Sequence, residues 1–360
     1  MARSFITTLL TALLVAGALA GCADNGGAGG NTTTSPGTTT TPATTTPTST
    51  TPVTTPVIPS LPASGPSDVY GLTSGSTGGV YYAIANGIQA AVRNATAPGF
   101  TISEVPTSGG SVTNVERLRQ DDYQLALMQN DVAFLAYNGE GQFADNSYTG
   151  LRAVASLYPE MIQIVTLASS DIGTIDDLAG KRVAVGAAGS GVAVGAADIL
   201  TAAGITVTEE NLDLTTSTER LKDGGIDAFF WIGGIPTGAI TALGTTDPVR
   251  IVPISAALQT TLQEDKPFYA SVTLPADTYP GQSADVETVA VIAILVARDD
   301  VPADDVASLL RIIFDGTDVQ SSHPGQGPNI KIENSQEGVS GIPWHDGAKY
   351  YFALKGMPVE

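Results

Sequence analysis

The stretch VYGLTSGSTGGVYYAIANGIQAAVRN, residues 69–94, joins a short apolar run, a turn of glycine and hydroxyl residues, and an amphipathic segment. The run Val69–Leu72 has the β-branched and aromatic content that is typical of a strand. The amphipathic segment places an apolar residue at every fourth position of one helix face, at Val80, Ile84, Ile88 and Val92. The stretch therefore predicts a strand, a turn and a helix in immediate succession.

The same succession recurs toward the carboxyl end of the chain. Further strands are predicted at Phe100–Val105, Leu125–Met128, Arg182–Val185 and Ile226–Trp231. Further helix faces are predicted through Val112, Val115 and Leu118, through Ile199, Leu200 and Ala203, and through Val306, Leu309, Leu310 and Ile313. Strands that alternate with helices are typical of α/β layers around a mainly parallel sheet.

One apolar run is longer than the others. Thr288–Ala297, TVAVIAILVA, holds ten uncharged residues between Glu287 and Arg298. It is too short to span a membrane, and its composition predicts a strand that is buried on both faces. Together with Met161–Leu167 it is predicted to cross between two lobes. We therefore expect an α/β fold whose two lobes are joined by crossing strands.

Three turns rich in Gly, Ser and Thr each follow a predicted strand and precede a predicted helix. They are TSGSTGG at 73–79, TSGGS at 107–111 and GAAGSG at 186–191. Ser and Thr hydroxyls cap the first amides of a helix, and glycines let a ligand approach the backbone. One such turn alone is more often structural, but three helix N-termini at one sheet edge can hold an anion without any cation.

Two further segments are predicted to reach the same edge. FFWIGG at 229–234 reads as a buried strand that ends in a glycine turn, so Trp231 is the predicted cleft wall, while Phe229 or Phe230 packs in the core. Gln129, Asn130 and Asp131 follow another strand and place amide and carboxylate groups at the mouth of the cleft.

Composition and motifs exclude several classes of protein. The chain has 16 Lys and Arg against 36 Asp and Glu, so a nucleic-acid protein is not expected. One cysteine and two histidines cannot build a disulfide framework or a usual Cys/His zinc site. The turn at 186–191 has the order G-x-x-G-x-G, and no P-loop lysine motif is present, so no nucleotide cofactor is predicted.

Hydrolytic chemistry is not favoured either. No G-x-S-x-G elbow is present, and His323 and His345 lie outside the three turns. Four aspartate pairs fall at helix starts and turns, where a plain solvated role is expected: 121–122, 176–177, 299–300 and 304–305.

The first 66 residues differ in composition from the rest. Residues 1–21 are predicted to be a signal peptide, because the apolar run Phe5–Leu19 is too short for a permanent anchor. Leu19-Ala20-Gly21-Cys22 resembles a bacterial lipobox, so Cys22 is predicted to carry lipid. From the lipidated Cys22 to residue 66 the chain is mostly Gly, Thr, Ser and Pro, which predicts a disordered stalk.

Seven motifs occur in an ordered set. They are TGGVYY at 77–82, SGGS at 108–111, DLAGKRVAVG at 177–186, GSG at 189–191, KDGGIDAFF at 222–230, YPGQ at 279–282 and IPWHDGA at 342–348. This set resembles the TAXI family of solute receptors, the extracytoplasmic binding proteins of one branch of TRAP transporters. The Thr/Pro stalk and Trp344 before His345 depart from a plain member of that family.

The resemblance implies a type II periplasmic-binding-protein-like fold. Lobe 1 would comprise residues 67–165 and 291–360, and lobe 2 residues 166–290. It also implies a monomeric, non-enzymatic receptor without a cofactor or metal, which closes around a small carboxylate such as glutamate or 2-oxoglutarate. Its partners would be TRAP membrane subunits and, through Cys22, the outer face of the bacterial cytoplasmic membrane.

The ligand contacts that the resemblance implies fall on the three turns and two strand ends. They are Ser76, Thr77, Gly78, Gly79, Tyr82, Ser108, Gly109, Gly110, Ser111, Asn130, Ser190, Gly191, Trp231, Gly233 and Gly234. Two alternatives stay open from the sequence. One is a cell-surface sensory or adhesion lipoprotein without a transport role, and the other is an enzyme that uses the same cleft.

Overall fold

The computed structural model describes residues 68–360. The predicted signal peptide, the lipid attachment at Cys22 and the Thr/Pro stalk lie outside the described residues, so those three stay predictions. Among residues 68–360, no helix combines the length and the apolar character needed to cross a bilayer.

Strands and helices alternate along most of the described chain. The strands are β1 Asp68–Thr73, β2 Phe100–Glu104, β3 Leu125–Gln129, β4 Leu151–Leu167, β5 Arg182–Ala184, β6 Thr208–Glu210, β7 Ala228–Gly233, β8 Val249–Val252, β9 Ala270–Leu274 and β10 Val286–Arg298. The helices are α1 Val80–Asn94, α2 Ser111–Arg119, α3 Asn130–Asn138, α4 Gly191–Ala203, α5 Leu214–Lys222, α6 Gly238–Thr246, α7 Ala256–Asp265, α8 Ala303–Asp315 and α9 Asp346–Leu354.

The strands form one continuous hydrogen-bonded path with two parallel ends. Its order is β2-β1-β3-β10-β4-β7-β5-β6, while β8 pairs with β4 and β9 with β10. β1 is parallel to β2 and β3, and β5 is parallel to β6 and β7. Between these parallel groups, β4 and β10 pair antiparallel with each other. Each parallel group with its helices makes one lobe.

The two long strands belong to both lobes. The last part of β10, Ala293–Ala297, pairs with β3 of lobe 1, whereas Val286–Ala290 pairs with β9 of lobe 2. β4 passes in the other direction, and its residues Met161–Val165 pair with β7 of lobe 2. The predicted fold class, α/β with two lobes and crossing strands, is therefore confirmed. The exact residue boundaries of the lobes stay a prediction.

Each lobe has its own apolar core. Lobe 1 packs α1, α2 and α8 against its sheet through residues such as Ile84, Val115 and Leu310. In lobe 2 the two faces of the sheet are covered separately, so that Phe230 packs on one side and Phe229 on the other. Both phenylalanines are fully buried because helices lie on both faces, as parallel sheets require.

Two expectations need correction in this part of the chain. The strand predicted at Met161–Leu167 begins ten residues earlier, at Leu151. The solvated role expected for the aspartate pairs is wrong for Asp305, which is 2% exposed and whose Oδ2 accepts a 2.6 Å hydrogen bond from the Tyr70 hydroxyl. The tyrosine hydroxyl provides the partner that allows this carboxyl group to be buried.

Candidate functional site

A cavity of about 280 Å³ lies between the two lobes, at the carboxyl ends of the parallel strands. Lobe 1 lines it with the turn before α1, the turn before α2 and the end of β3. Lobe 2 lines it with the turn before α4, the start of α5 and the end of β7. Four helices therefore begin at the cavity wall, and the three glycine turns meet there as the sequence predicted.

Ten of the fifteen predicted contacts line this cavity. They are Ser76, Gly79, Ser108, Gly109, Gly110, Ser111, Ser190, Gly191, Trp231 and Gly233. The structure does not bring the other five to its wall: Thr77, Gly78, Tyr82, Asn130 and Gly234. Thr77 and Gly78 are exposed at the outer side of their turn, and Tyr82 is half-buried on α1.

Asn130 holds lobe 1 together. Its Nδ2 donates a 2.8 Å hydrogen bond to the Gly338 carbonyl, and its Oδ1 accepts a 2.9 Å hydrogen bond from the Ile292 amide. Both ends of the amide are thus bonded to backbone groups. Gly234 is also packed against protein, because a Cβ there would overlap the side chain of Gln326.

The helices of lobe 1 begin at the cavity without capping side chains. Gly79 precedes α1 and Gly110 precedes α2, and among the described residues no side chain caps either helix. The first amides of a helix carry partial positive charge and lack partners within the helix. The start of α1 can therefore donate hydrogen bonds to an anionic group, whereas in the first turn of α2 the Thr113 amide is bonded to the Gly189 carbonyl of lobe 2.

The helices of lobe 2 begin with capping side chains. Ser190 Oγ accepts a 3.2 Å hydrogen bond from the Ala193 amide at the start of α4. Asp213 Oδ1 accepts a 2.8 Å hydrogen bond from the Thr216 amide at the start of α5. Part of the donor capacity of these two helix starts is already satisfied within lobe 2.

Four buried polar side chains that the predicted contacts did not include also line the cavity: Tyr81, Gln129, Glu160 and Ser217. The Tyr81 hydroxyl donates a 2.6 Å hydrogen bond to Glu160 Oε2. Gln129 Oε1 is buried and has no hydrogen-bond partner among the described residues. The sequence could have indicated Glu160, because it is the only charged residue between Arg152 and Asp171.

The surroundings of Glu160 favour its neutral form. Burial raises the pKa of its carboxyl group to about 8, against the lowering effect of the Tyr81 hydrogen bond. The nearby Asp131 carboxyl raises this pKa further, and the Gln129 amide lowers it. None of the described residues that line the cavity is Lys, Arg or His, so no protein cation neutralises Glu160.

The two lobes touch each other beside the cavity. The Thr113 amide of α2 donates a 3.2 Å hydrogen bond to the Gly189 carbonyl of lobe 2. A Cβ on Gly191 would overlap Gln129 Oε1, and a Cβ on Gly110 would lie 3.1 Å from Ser190 Cα. Glycine at these positions lets the backbones of the two lobes come into contact, so the structure is a closed form.

A second contact between the lobes lies in the loop after α8. Gln326 Nε2 donates a 2.6 Å hydrogen bond to the Ile235 carbonyl of lobe 2. His323 Nδ1 accepts a 3.0 Å hydrogen bond from the Gln326 amide and so orders this loop. His345 caps α9, where its Nδ1 accepts a 3.1 Å hydrogen bond from the Gly347 amide. Both histidines thus have roles in holding the backbone.

Solved structures resemble the chain at low identity. The periplasmic aliphatic sulphonate binding protein SsuA from Escherichia coli is 16% identical, with a TM-score of 0.44 over 72% of this chain and 73% of that chain. The GluR0 ligand-binding core from Nostoc punctiforme in complex with L-glutamate is 14% identical, with a TM-score of 0.43 over 72% of this chain and 98% of that chain. A structure described as a periplasmic transporter is 15% identical, with a TM-score of 0.48 over 82% and 99%.

A family model gives a more extensive match. It is the model of the NMT1-like family, and it matches residues 72–356, which include both lobes and every residue of the cavity wall. Because this match spans well over half of the sequence, the chain belongs to the NMT1-like family.

Proposed function

We propose that this protein is an extracytoplasmic solute receptor that binds a small carboxylate between its two lobes. The observation that carries the proposal is the cavity of about 280 Å³ at which four helices begin, two of them with glycine N-caps. Uncapped helix starts stabilise a negative charge without a basic side chain. The cavity has the size of a site for a small metabolite, slightly below the usual range for drug-sized ligands.

The lobes support a mechanism in which closure completes the site. Ser76 and Ser190 lie on different lobes yet line the same cavity, so a ligand there would be in contact with both. Rotation about the crossing strands β4 and β10 would open the cavity and release the ligand unchanged. This is binding without turnover, as a receptor requires.

We propose further that the receptor delivers its ligand to a membrane transporter. The resemblance of the ordered motifs to TAXI receptors supports membrane subunits of a TRAP-type transporter as partners. The lipobox-like sequence before Cys22 supports attachment to the outer face of the bacterial cytoplasmic membrane. A monomer held in this way would present the closed lobes to a transporter in the same membrane.

Isothermal titration calorimetry tests the binding part of the proposal. The full-length protein would be titrated with a panel of dicarboxylates, monocarboxylates, amino acids and neutral sugars. We expect at least one carboxylate to bind with one site per chain. Silence from every acid, together with binding of a neutral sugar, would contradict the proposal.

A further inference from the structure

An uncompensated carboxyl group lies in the wall of the cavity. Glu160 pairs with Val291 of β10 where the two crossing strands run side by side, and its side chain is 4% exposed. Its carboxyl group lines the cavity and accepts a hydrogen bond from Tyr81. Burial of a carboxyl group is unfavourable for the ionised form unless a cation pairs with it.

The protein groups that face Glu160 provide no such cation. They are neutral or acidic on every element packed against it: Tyr81 on α1, Gln129 on β3, Asp131 on α3 and Tyr158 on β4. Asp213 lines the same cavity from the start of α5. A positive charge beside Glu160 would therefore have to come from the ligand.

The neighbouring side chain of Gln129 offers a second hydrogen-bond acceptor, its Oε1, which lies against Gly191 of lobe 2. Gln129 is 3% exposed and lines the cavity, and its Oε1 has no partner among residues 68–360. An ammonium group has three N–H donors and no acceptor, so it matches two neighbouring acceptors better than a hydroxyl or a carboxylate does. The helix start of α1 remains available for a negative charge on the same ligand.

We propose that Glu160 and Gln129 form a subsite for a protonated amino group, so that the ligand is a small zwitterion and its binding releases one proton. The O–H bond of the Glu160 carboxyl group breaks, the proton passes to solvent, and the resulting carboxylate accepts a hydrogen bond from the ligand ammonium. The inference rests on the proposed function, because it assigns a second charged group of the ligand within the same cavity.

The affinity for such a ligand depends on pH in a defined direction. Since burial raises the pKa of Glu160 to about 8, the carboxyl group is protonated in the free protein at pH 7. Below that pKa the affinity rises by about tenfold per pH unit, because one proton is released per ligand bound. Above it the carboxylate is already ionised, and the affinity becomes independent of this group.

Calorimetry with matched ligand pairs tests the subsite. The full-length protein would be titrated with glutamate and 2-oxoglutarate, and with leucine and 4-methyl-2-oxopentanoate, in buffers of different ionisation enthalpy. We expect the amino member of one pair to bind at least about 30-fold more tightly, with about one proton released at pH 7 and nearly none at pH 9.

Two other outcomes overturn the inference. If the 2-oxo acid binds as tightly as its amino counterpart, or if protons are taken up, the amino subsite is wrong while the proposed receptor function stands. If neither member of either pair binds and other acids do so without an amino preference, the subsite is equally wrong. Silence from all acids contradicts both proposals.

A pair of substitutions tests whether Glu160 causes the amino preference and the proton release. Glu160→Gln removes the carboxylate but keeps its size, so we expect the amino preference to fall below about threefold and the proton release to disappear. Glu264→Gln removes the same charge from an exposed position outside the cavity wall and should keep the wild-type preference. If Glu160→Gln retains that preference, the inference is overturned. The number of protons that the wild type releases on binding tests the inference independently of any variant.

Discussion

The two lobes line the shared cavity with different chemical groups. In lobe 1, α1 and α2 begin at Gly79 and Gly110, and within the described chain no side chain caps either helix. In lobe 2, α4 and α5 begin at Ser190 and Asp213, whose side chains accept hydrogen bonds from their own helices. An uncapped helix start can donate to an anion, whereas a capped one has part of its donors satisfied. In α2 the Thr113 amide is already bonded to the Gly189 carbonyl, so we expect the start of α1 to bind the anionic group of a ligand.

Buried polar side chains line the cavity from both lobes. Tyr81 and Gln129 belong to lobe 1, and Glu160 lies on the crossing strand β4. Lobe 2 contributes the buried hydroxyls of Ser190 and Ser217 and the indole of Trp231, whose Nε1 donates a 3.1 Å hydrogen bond to Thr237 Oγ1. Both lobes therefore offer polar groups to a ligand, and the buried carboxyl group lies on a strand that belongs to both.

The largest expected effect concerns the buried carboxyl group of Glu160. The unfolded chain releases the Glu160 proton near the ordinary pKa of 4.5, whereas the folded chain keeps it up to a pKa of about 8. Its stabilising contribution is therefore complete below pH 4.5 and is lost as the pH rises toward 8. Relative to Glu160→Gln, the wild type should lose about 4 kcal/mol of unfolding free energy across this interval.

Urea denaturation of both proteins at a series of pH values measures this difference. Asp131, whose pKa burial raises to about 7, is present in both proteins and accounts for a slope that remains in the variant. Glu264→Gln, at an exposed position outside the cavity wall, is the control and should follow the wild-type profile. Parallel profiles for wild type and Glu160→Gln would contradict the assignment of a neutral, buried Glu160.

The next effect concerns the contact between the lobes. Gly191→Ala places a Cβ against Gln129 Oε1, so the closed form becomes strained while each lobe keeps its own core. Overpacking of this kind costs about 1–3 kcal/mol, which corresponds to a loss of affinity of roughly 5–150-fold. Gly238→Ala is the control, because a Cβ there would have nothing within 4 Å. Calorimetry gives the affinities, and equal affinities for both variants would show that closure does not require this approach.

Replacing two serines on opposite sides of the cavity should affect protein stability differently. Ser190→Ala removes the cap of α4 and should lower the unfolding free energy by about 1 kcal/mol. Ser76→Ala removes an exposed hydroxyl of lobe 1 and should leave stability unchanged while weakening ligand binding. Thermal denaturation and calorimetry on both variants separate these effects. A stability loss in Ser76→Ala alone would reverse the comparison between the lobes.

The smallest effect tests the uncapped helix start directly. Gly79 has an extended backbone, with φ −96° and ψ 160°, so serine fits there and can cap α1. Gly79→Ser should be about 0.5–1 kcal/mol more stable than Gly79→Ala, because only serine provides the capping hydroxyl. The same hydroxyl competes with the ligand, so Gly79→Ser should bind acids several-fold more weakly than Gly79→Ala. Equal affinities would place the anion elsewhere in the cavity.

The sequence predicted the local parts of the site better than the long-range ones. The three glycine turns were found because strand, turn and helix follow one another within a few residues, and all three reach the cavity. The family resemblance implies Tyr82 as a contact, but Tyr81 shares the buried face of Ile84 and Ile88 and lines the cavity. Helical spacing contains that information, since positions 81, 84 and 88 lie on one face.

Long-range pairing explains what the sequence did not predict. Glu160 reaches the cavity because β4 pairs with β10, and the two strands are more than a hundred residues apart in the chain. Asn130 follows a strand at the predicted edge, but its amide is bonded to Gly338 and Ile292, which no local pattern indicates. The short strand β6, Thr208–Glu210, is polar and is a strand only because it pairs with β5.

The most direct test of the account is to identify what the native protein carries between its lobes. The full-length wild type and Gly191→Ala would be purified without denaturation, and small molecules released from each would be identified and counted by mass spectrometry. We expect close to one small acid with an amino group per wild-type chain and a strongly reduced amount from Gly191→Ala. Equal amounts of one compound from both proteins, or a neutral sugar from the wild type, would contradict a site formed by closure of the two lobes around an acid.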